Sequence, residues 1–254
     1  MTAAVRLPTP VPARPPAFRV AFQYALGGDL HYLSHRDELR MLRRALVRAA
    51  WPLRFSRGYN PMPWLSVPLP RRVGLASDCQ LALTDLNEPR SAPELRDALA
   101  AVLPHECRLR ALDAPAPAGT PHPQAAEYAV ELPPQAAAEI APRVARLEES
   151  LKRGGGSQGD EPDSPLTPKC TQYLERVVLD ASELRLRLRF VDQRTARTSE
   201  ILTEFGLAPD IGRYAVRLRE VAWNMEFSDP EMGSRASKGI AIGYEENSND
   251  SHEG

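Results

Sequence analysis

The distribution of proline constrains which segments of this chain can form helices and strands. The sequence has 25 prolines in 254 residues, and most of them concentrate in a few segments. These segments are 8–16, 61–70, 115–123 and 162–168. Proline lacks a backbone N–H and disfavours helical torsions in the residue before it, so we interpret the four segments as connections. The chain is therefore expected to consist of short helices and strands.

The segments between the prolines follow a repeated order of strand, helix, strand, strand, helix, strand, judged from their hydrophobic periods. The first round comprises 18–26, 35–49, 53–56, 79–86, 92–102 and 107–112. The second comprises 126–132, 135–151, 173–179, 183–191, 199–205 and 213–221. This order favours an α+β fold of two ferredoxin-like βαββαβ units with antiparallel sheets, although no sequence repeat relates the halves.

The same pattern predicts the domain boundaries. We expect the first ferredoxin-like unit at 17–114 and the second at 124–224. The second unit contains a segment rich in glycine, acids and proline at 153–168, which we interpret as a flexible insertion. The proline-rich arm 1–16 and the acidic tail 225–254 lack hydrophobic periodicity and are expected to be disordered.

Residues 35–49 give the clearest amphipathic helix of the chain. Leu42 and Leu46 fall on its apolar face, and Ser34 is positioned as the N-cap because its hydroxyl can accept from the amide of Asp37 or Arg36. Arginines occupy an arc on the other side. They are Arg36, Arg40, Arg43, Arg44 and Arg48. This helix is expected to pack by its leucines and to present its guanidinium groups to solvent.

Positive charge is segregated in the first third of the chain. Residues 1–75 contain 12 arginines and three acids, a local charge of 12 − 3 = +9, whereas the whole chain carries −1. A partner that bears phosphates would therefore be attracted to this third. The alternative is that arginine is simply the preferred cation of the chain, since only three lysines are present.

The loop after the helix has residues suited to holding a nucleotide. Gly58 permits positive φ, Pro61 keeps Asn60 extended, and Tyr59 can present its ring beside Arg57. With Arg54 also nearby, this arrangement is suited to stacking a base. The alternative is that the ring packs beneath the loop as a small satellite core. Its partners there would be Tyr32, Trp51 and Trp64.

His35 and the arginines near residue 187 each have two possible interpretations. His35 lies among arginines and could act as a general acid or base in RNA cleavage, or it could simply bond locally at the helix start. The arginines at 185, 187 and 189 alternate with leucines. They could extend the basic surface, but the solvated side of a half-exposed strand is the favoured reading.

Several classes of function are disfavoured by what the sequence lacks. Cys79, Cys107 and Cys170 are too widely spaced for a disulfide framework, a metal pair or a radical-SAM iron–sulfur cluster, so we interpret them as structural thiols. No glycine-rich phosphate loop and no metal-binding acid pair is recognisable. With no long apolar run and no signal-peptide pattern, a cytoplasmic location is expected.

Three segments give the chain a specific resemblance. They are FRVAFQYALGGDLHYLSHRDELRMLRRALVRAAWPLRFSRGYNP, PLPRRVGLASDCQLALTDL and TARTSEILTEFGL. The chain resembles the radical-SAM-linked protein family of bacteria, a domain of unknown function fused to or encoded beside cobalamin-binding radical SAM proteins. The resemblance covers roughly residues 17–224. Where the family follows Asn-Pro with a polar run such as His-Pro-Lys, this chain has Met62, Pro63 and Trp64, which weakens a phosphate role for that position.

The resemblance implies a protein partner and no cofactor in this chain; the partner would carry the iron–sulfur cluster, S-adenosylmethionine and cobalamin. The first hypothesis is a non-catalytic accessory protein that binds or presents RNA, tRNA or rRNA, for modification. The residues expected to contact RNA are Arg36, Arg40, Arg43, Arg44, Arg54, Arg57, Tyr59 and Asn60. Two alternatives remain: a metal-independent endoribonuclease that uses His35, and a protein-docking module whose arginines meet acidic patches on the radical SAM subunit.

Overall fold

The computed structural model describes residues 17–153, 167–207, 214–230 and 232. The arm 1–16, residues 154–166 of the expected insertion and the tail from 233 lie outside the described residues, and so do the expectations made for them. At the end of that insertion, the Thr167 amide donates to the Glu204 carboxylate over 2.8 Å, so residue 167 is held in place.

The described elements follow the predicted order closely. The helices are α1 (His35–Arg48), α2 (Ala92–Ala100), α3 (Pro134–Lys152), α4 (Pro168–Thr171) and α5 (Thr198–Glu204). The strands are β1 (Phe18–Leu26), β2 (Leu65–Ser66), β3 (Leu75–Leu86), β4 (Cys107–Asp113), β5 (Pro123–Glu131), β6 (Leu174–Asp180), β7 (Glu183–Arg189) and β8 (Ala215–Trp223). A short 3-10 helix at Gly28–Tyr32, which the sequence pattern did not predict, links β1 to α1.

The strands form one mixed sheet of eight strands. Seven follow the order β4-β1-β3-β8-β5-β7-β6, and β2 pairs with β3 beside this path. β3 and β8 run parallel, with Leu75 opposite Val216 and Ser77 opposite Leu218, whereas the other strand pairs of the described chain are antiparallel. The protein is therefore a mixed α/β structure whose two halves join along β3 and β8.

Each half has its own hydrophobic core beneath its helices. In the first half, α1 and α2 bury Leu42 and Leu99 against Phe22 of β1. In the second half, α3 buries Ile140 against strand residues such as Leu186. The alternation of leucine with arginine along β7 explains this placement, because successive strand side chains point to opposite faces of a sheet.

One strand prediction is wrong. Residues 53–56 were expected to form the second strand, but only isolated bridges occur there, from Leu53 to Leu86 and from Phe55 to Pro63. The strand that pairs with β3 is β2, which is only two residues long. The Thr84 hydroxyl also donates to the Trp64 carbonyl over 2.6 Å and fixes this segment against β3.

The expectation of disorder from residue 225 is wrong for residues 225–230 and 232. The Asp113 carboxylate accepts from the amides of Ser228 and Asp229 over 2.6 and 2.9 Å, and the Asp229 side chain pairs with Arg96 over 2.6 Å. Met232 is fully buried in a small cluster with residues of the central strands. The segment is held because it satisfies a buried carboxylate and covers apolar surface.

Candidate nucleic-acid interface

The basic helix α1 begins where the sequence predicts. The Ser34 hydroxyl accepts from the Asp37 amide over 3.2 Å, which confirms Ser34 as the N-cap. The same hydroxyl donates to the Asp37 carboxylate over 2.7 Å. These bonds, together with Arg40 at 3.0 Å from the carboxylate, hold the pKa of Asp37 below its ordinary value; the Ser34 bond is the largest cause. The first turn of α1 is therefore fixed.

The arginines of α1 form a stripe of mixed exposure. Arg36, Arg40 and Arg44 are exposed and lie one turn apart along the helix, so they share a face. Arg40 is paired with Asp37, and Arg43 is half-buried with no hydrogen-bond partner for its buried Nε among the described residues. Arg48 donates to the Val102 carbonyl over 2.9 Å and so ties the end of α1 to the turn that follows α2.

Residues 54–64 form a projecting hairpin, here called the 54–64 hairpin. The Trp64 amide donates to the Arg54 carbonyl over 2.9 Å, and the Ser56 amide donates to the Met62 carbonyl over 2.8 Å. The Ser56 hydroxyl accepts from the Met62 amide over 3.1 Å. At the tip, Gly58 has a φ of 152°, as its predicted role requires. The two sides of the hairpin are thereby tied below an open tip.

The tip exposes the residues that the sequence analysis singled out. Arg57 and Asn60 are exposed, and Tyr59 is 100% exposed, so the alternative in which its ring packs beneath the loop is wrong. Trp51, one of the proposed packing partners, is buried against Phe22 instead, with ring centroids 5.9 Å apart. The ring of Tyr59 is thus free of the core.

The sides of the 54–64 hairpin are partly apolar. Phe55 is 40% exposed, Met62 45% and Trp64 38%. The guanidinium of Arg19, which also pairs with Asp85, lies 5.3 Å from the centre of the Trp64 ring. This cation–π contact holds the indole in place, so the hairpin offers apolar and aromatic surface beside its arginines.

His35 lies in the first turn of α1 and is half-buried. Its Nδ1 is buried and has no hydrogen-bond partner among the described residues. The local hydrogen bond that was expected for a purely structural His35 is therefore not seen among the described residues. A second side chain that would orient the ring for general base catalysis is not seen among them either.

A buried polar network that the sequence pattern did not predict lies beneath α1. The Glu38 and Arg71 side chains are both fully buried, with Oε2 and Nε 2.9 Å apart; the N–H does not align for a hydrogen bond, so the contact is an ion pair. The Tyr24 hydroxyl donates to the other Glu38 oxygen over 2.6 Å. Burial, and then Glu38, raise the pKa of Tyr24 well above its ordinary value. Glu38 could have been found, because it lies one turn before the buried Leu42.

Arg71 also organises the backbone around it. Its guanidinium donates to backbone carbonyls of the 3-10 helix, of the residue before the N-cap and of its own loop. The acceptors are Leu30, His31, Leu33, Arg72 and Leu75, over 2.6 to 3.4 Å. One buried arginine thus ties the start of α1 to the loop before β3.

Several arginines on the strands of the opposite half are paired with carboxylates. Arg187 pairs with Glu175 and Glu220, and Arg185 pairs with Asp180 and Glu183. On β8, Arg217 and Arg219 pair with Asp78 over 2.8 and 3.0 Å. These pairs favour the reading of this strand face as a solvated, salt-bridged surface rather than as an extension of the basic helix.

No grouping of histidine, cysteine or acidic side chains within the described ranges could hold a metal ion. The three cysteines are free and buried; burial raises the pKa of Cys79 and of Cys107 to about 12 and that of Cys170 to about 11. Within those ranges, too, no helix is long and apolar enough to cross a membrane.

The fold and the surface define a mixed α/β protein that projects a basic helix and an aromatic hairpin from one half of its sheet. The chain belongs to a family described as an uncharacterized protein conserved in bacteria, DUF2344, whose model matches residues 19–153. No curated protein matches the chain. The family description names neither radical SAM proteins nor RNA, so both remain predictions.

Proposed function

We propose that this protein is a non-catalytic accessory factor that binds RNA and presents it to a cobalamin-binding radical SAM enzyme. The observation that carries the proposal is Tyr59, a fully exposed aromatic ring at the tip of a hairpin that follows an arginine-rich helix. An exposed ring has no stabilising role in the fold of the free protein. A base stacked on it would gain contact area, and nearby arginines would bind the backbone.

The roles of the individual residues follow from their positions. Arg36, Arg40 and Arg44 would contact successive phosphates along the helix, whose 14 residues span about 21 Å. Arg43 and Arg54 would contribute at its flank. Arg57 would bind a phosphate at the hairpin tip, and the Asn60 amide would bond a base edge beside the stacked ring of Tyr59. The phosphate contacts would set the position of the RNA on the protein. The contacts of Asn60 and Tyr59 with a base would set any preference for sequence.

A duplicated ferredoxin-like architecture is part of the proposal. Two helices of each half, α1 and α2 in the first and α3 and α5 in the second, alternate with its strands. The strand orders β4-β1-β3-β2 and β8-β5-β7-β6 support an antiparallel βαββαβ unit in each half. The lengths of β2 and β3 differ greatly, and the halves share no sequence repeat. A ferredoxin-like fold hosts many functions, so the architecture alone does not identify the function. The proposed function therefore rests on the residues of the surface.

The partnership rests on the resemblance of the sequence to radical-SAM-linked proteins. In this proposal the partner carries the iron–sulfur cluster, S-adenosylmethionine and cobalamin, and this chain supplies the RNA surface. The cytoplasm, where such an enzyme would meet RNA, is the proposed location. A gene for a radical SAM protein beside the gene for this chain would support the pairing, and purification of the two proteins together would test it.

A second candidate, a protein-docking module, is favoured by one observation. Phe55, Met62 and Trp64 expose apolar surface on the sides of the 54–64 hairpin, which RNA backbone would not use. Co-purification with the radical SAM subunit that survives nuclease treatment and is lost in Phe55→Ser would favour docking. Loss of the complex on nuclease treatment would favour RNA as the link.

Crosslinking tests the primary proposal at the residue that carries it. The full chain is irradiated with labelled tRNA and digested with trypsin, which releases residues 58–71 as one peptide after Arg57. A nucleotide adduct on Tyr59 is the expected result, and it should disappear in Tyr59→Ala. Adducts spread over the surface, or found equally with Tyr59→Ala, would contradict the proposal.

A further inference from the structure

The two halves of the sheet meet at a polar cavity that the proposed RNA surface does not include. The cavity has a volume of about 200 Å³ and lies along the parallel junction of β3 with β8. Its lining comes from the loop before β3, the segment before α5 and the strands between them. The residues that matter here are Arg72, Leu75, Tyr128, Thr195, Arg197 and Leu218.

One buried polar group in this cavity has no partner among the described residues. The Thr195 Oγ1 is buried and makes no hydrogen bond with any described residue. Tyr128 also lines the cavity and is only 9% exposed. Arg72 lines the same cavity, and burial raises the pKa of Tyr128 to about 12. A buried hydroxyl normally has a partner, so the lack of one at Thr195 indicates an external ligand.

The cavity is also positively charged. Arg72 and Arg197 are exposed at its rim, and neither forms an ion pair or side-chain hydrogen bond with a described residue. Many other arginines of this protein are paired, as Arg217 and Arg219 are with Asp78. Two guanidinium groups and two hydroxyl groups around a small cavity suit an oxyanion with several acceptor oxygens.

The loop that carries Arg72 is held rigid from behind. Arg71 is buried and donates to carbonyls on both sides of the loop, including Leu75 at 3.2 Å and His31 at 2.6 Å. The backbone on which Arg72 stands is therefore ordered before any ligand arrives. A preformed loop loses little entropy on binding, which favours a specific site over a chance pairing of surface charges.

We propose that this seam cavity binds a phosphate group, held by Arg72 and Arg197 and hydrogen-bonded by Tyr128 and Thr195. The volume is below the roughly 300–1,000 Å³ of sites that enclose a drug-sized ligand. The cavity therefore fits the phosphate end of a larger molecule, either a small phosphate ester or an RNA terminus. The inference does not depend on RNA binding by α1, whose residues do not line the cavity.

The test is a titration of the full chain with inorganic phosphate at constant ionic strength, followed by proton–nitrogen NMR. Signals from residues 69–75 and 195–198 are expected to shift and saturate. Arg72→Gln, Arg197→Gln and Tyr128→Phe should each weaken binding, the two arginine variants by about tenfold or more, since hydrogen bonds to charged groups contribute at least that factor. Arg146→Gln, which removes an equally exposed charge from α3, should leave binding unchanged.

Ribose 5-phosphate and an RNA tetramer with a 5′-phosphate then distinguish the sources of the group. Tighter binding of the tetramer than of ribose phosphate assigns the site to RNA ends, and the reverse order assigns it to small phosphate esters. Either order supports the site. No saturable shift with any of the three probes, or an equal loss of binding in Arg146→Gln and Arg72→Gln, would overturn it.

Discussion

Glu38 and Arg71 form an ion pair in which both side chains are completely buried and the charged atoms lie 2.9 Å apart. Glu38 belongs to α1 and Arg71 to the loop before β3, so the pair joins the basic helix to the seam between the two halves. Tyr24 completes the site through its bond to Glu38. The position of both candidate binding surfaces therefore depends on one buried charge pair.

Replacing Arg71 is expected to be strongly destabilising. Arg71→Met leaves the Glu38 charge buried and removes the donor from several carbonyls, so the free energy of unfolding should fall by about 3–5 kcal/mol. Arg40→Met, which breaks an exposed pair with Asp37, should cost only about 0–1 kcal/mol. Urea denaturation of both variants measures the difference. Equal losses would show that the buried pair does not hold α1.

Replacing Tyr59 should separate binding from stability. Because Tyr59 is fully exposed, Tyr59→Ala should change the free energy of unfolding by no more than about 0.5 kcal/mol. The same variant should weaken RNA binding by about 1–3 kcal/mol through loss of stacking. Tyr59→Phe, which keeps the ring, should bind nearly as well as the wild type. A large loss of affinity in Tyr59→Phe would mean that the hydroxyl, rather than the ring, makes the contact.

The lowered pKa of Asp37 predicts how the stability of the folded protein changes with pH. It is lowered in the folded protein by the Ser34 bond first and Arg40 second. The associated stabilisation is therefore present above the pKa of the unfolded chain and is lost as pH falls through the folded value. Ser34→Ala should raise the pKa of Asp37 toward its ordinary value and also cost about 1 kcal/mol through loss of the cap. Carboxyl NMR titration measures the first effect; an unchanged pKa would refute it.

The three cysteines should be unreactive in the folded protein. They are buried, and their raised pKa values keep the thiols protonated at pH 8. A thiol reagent should therefore label the chain slowly until urea unfolds it, after which all three should react. Rapid labelling of one thiol in the native chain would indicate local opening near that residue.

Much of the fold could be predicted because its signals are local. Ser34 caps α1 as expected, and the leucine alternation of β7 predicts its position within two residues. β2 could not be predicted, since two residues carry no periodicity. Met232 is a single apolar residue in a polar stretch, and the bonds that Asp113 makes to its neighbours are entirely nonlocal.

The sequence predicts which residues belong to the candidate surface, but not how exposed each of them is or which residues they contact. The stripe of α1 follows from helical spacing, whereas the exposure of Tyr59 depends on how the 54–64 hairpin leaves the core. The burial of Glu38 follows from its spacing to Leu42, but nothing local identifies Arg71 as its partner. Likewise, the meeting of Arg72 with Arg197 depends on the parallel pairing of β3 with β8, for which three residues of register give no sequence signal.

The most direct test of RNA binding is its dependence on salt. Affinity for tRNA should fall steeply with rising salt, by roughly 0.7 to 0.9 log unit per log unit of salt for each phosphate contact. In the variant with Arg36, Arg40 and Arg44 all replaced by glutamine, the slope should decrease by roughly two to three units, while Arg146→Gln should keep the wild-type slope. A wild-type affinity that does not change with salt, or a triple variant with an undiminished slope, would contradict the account.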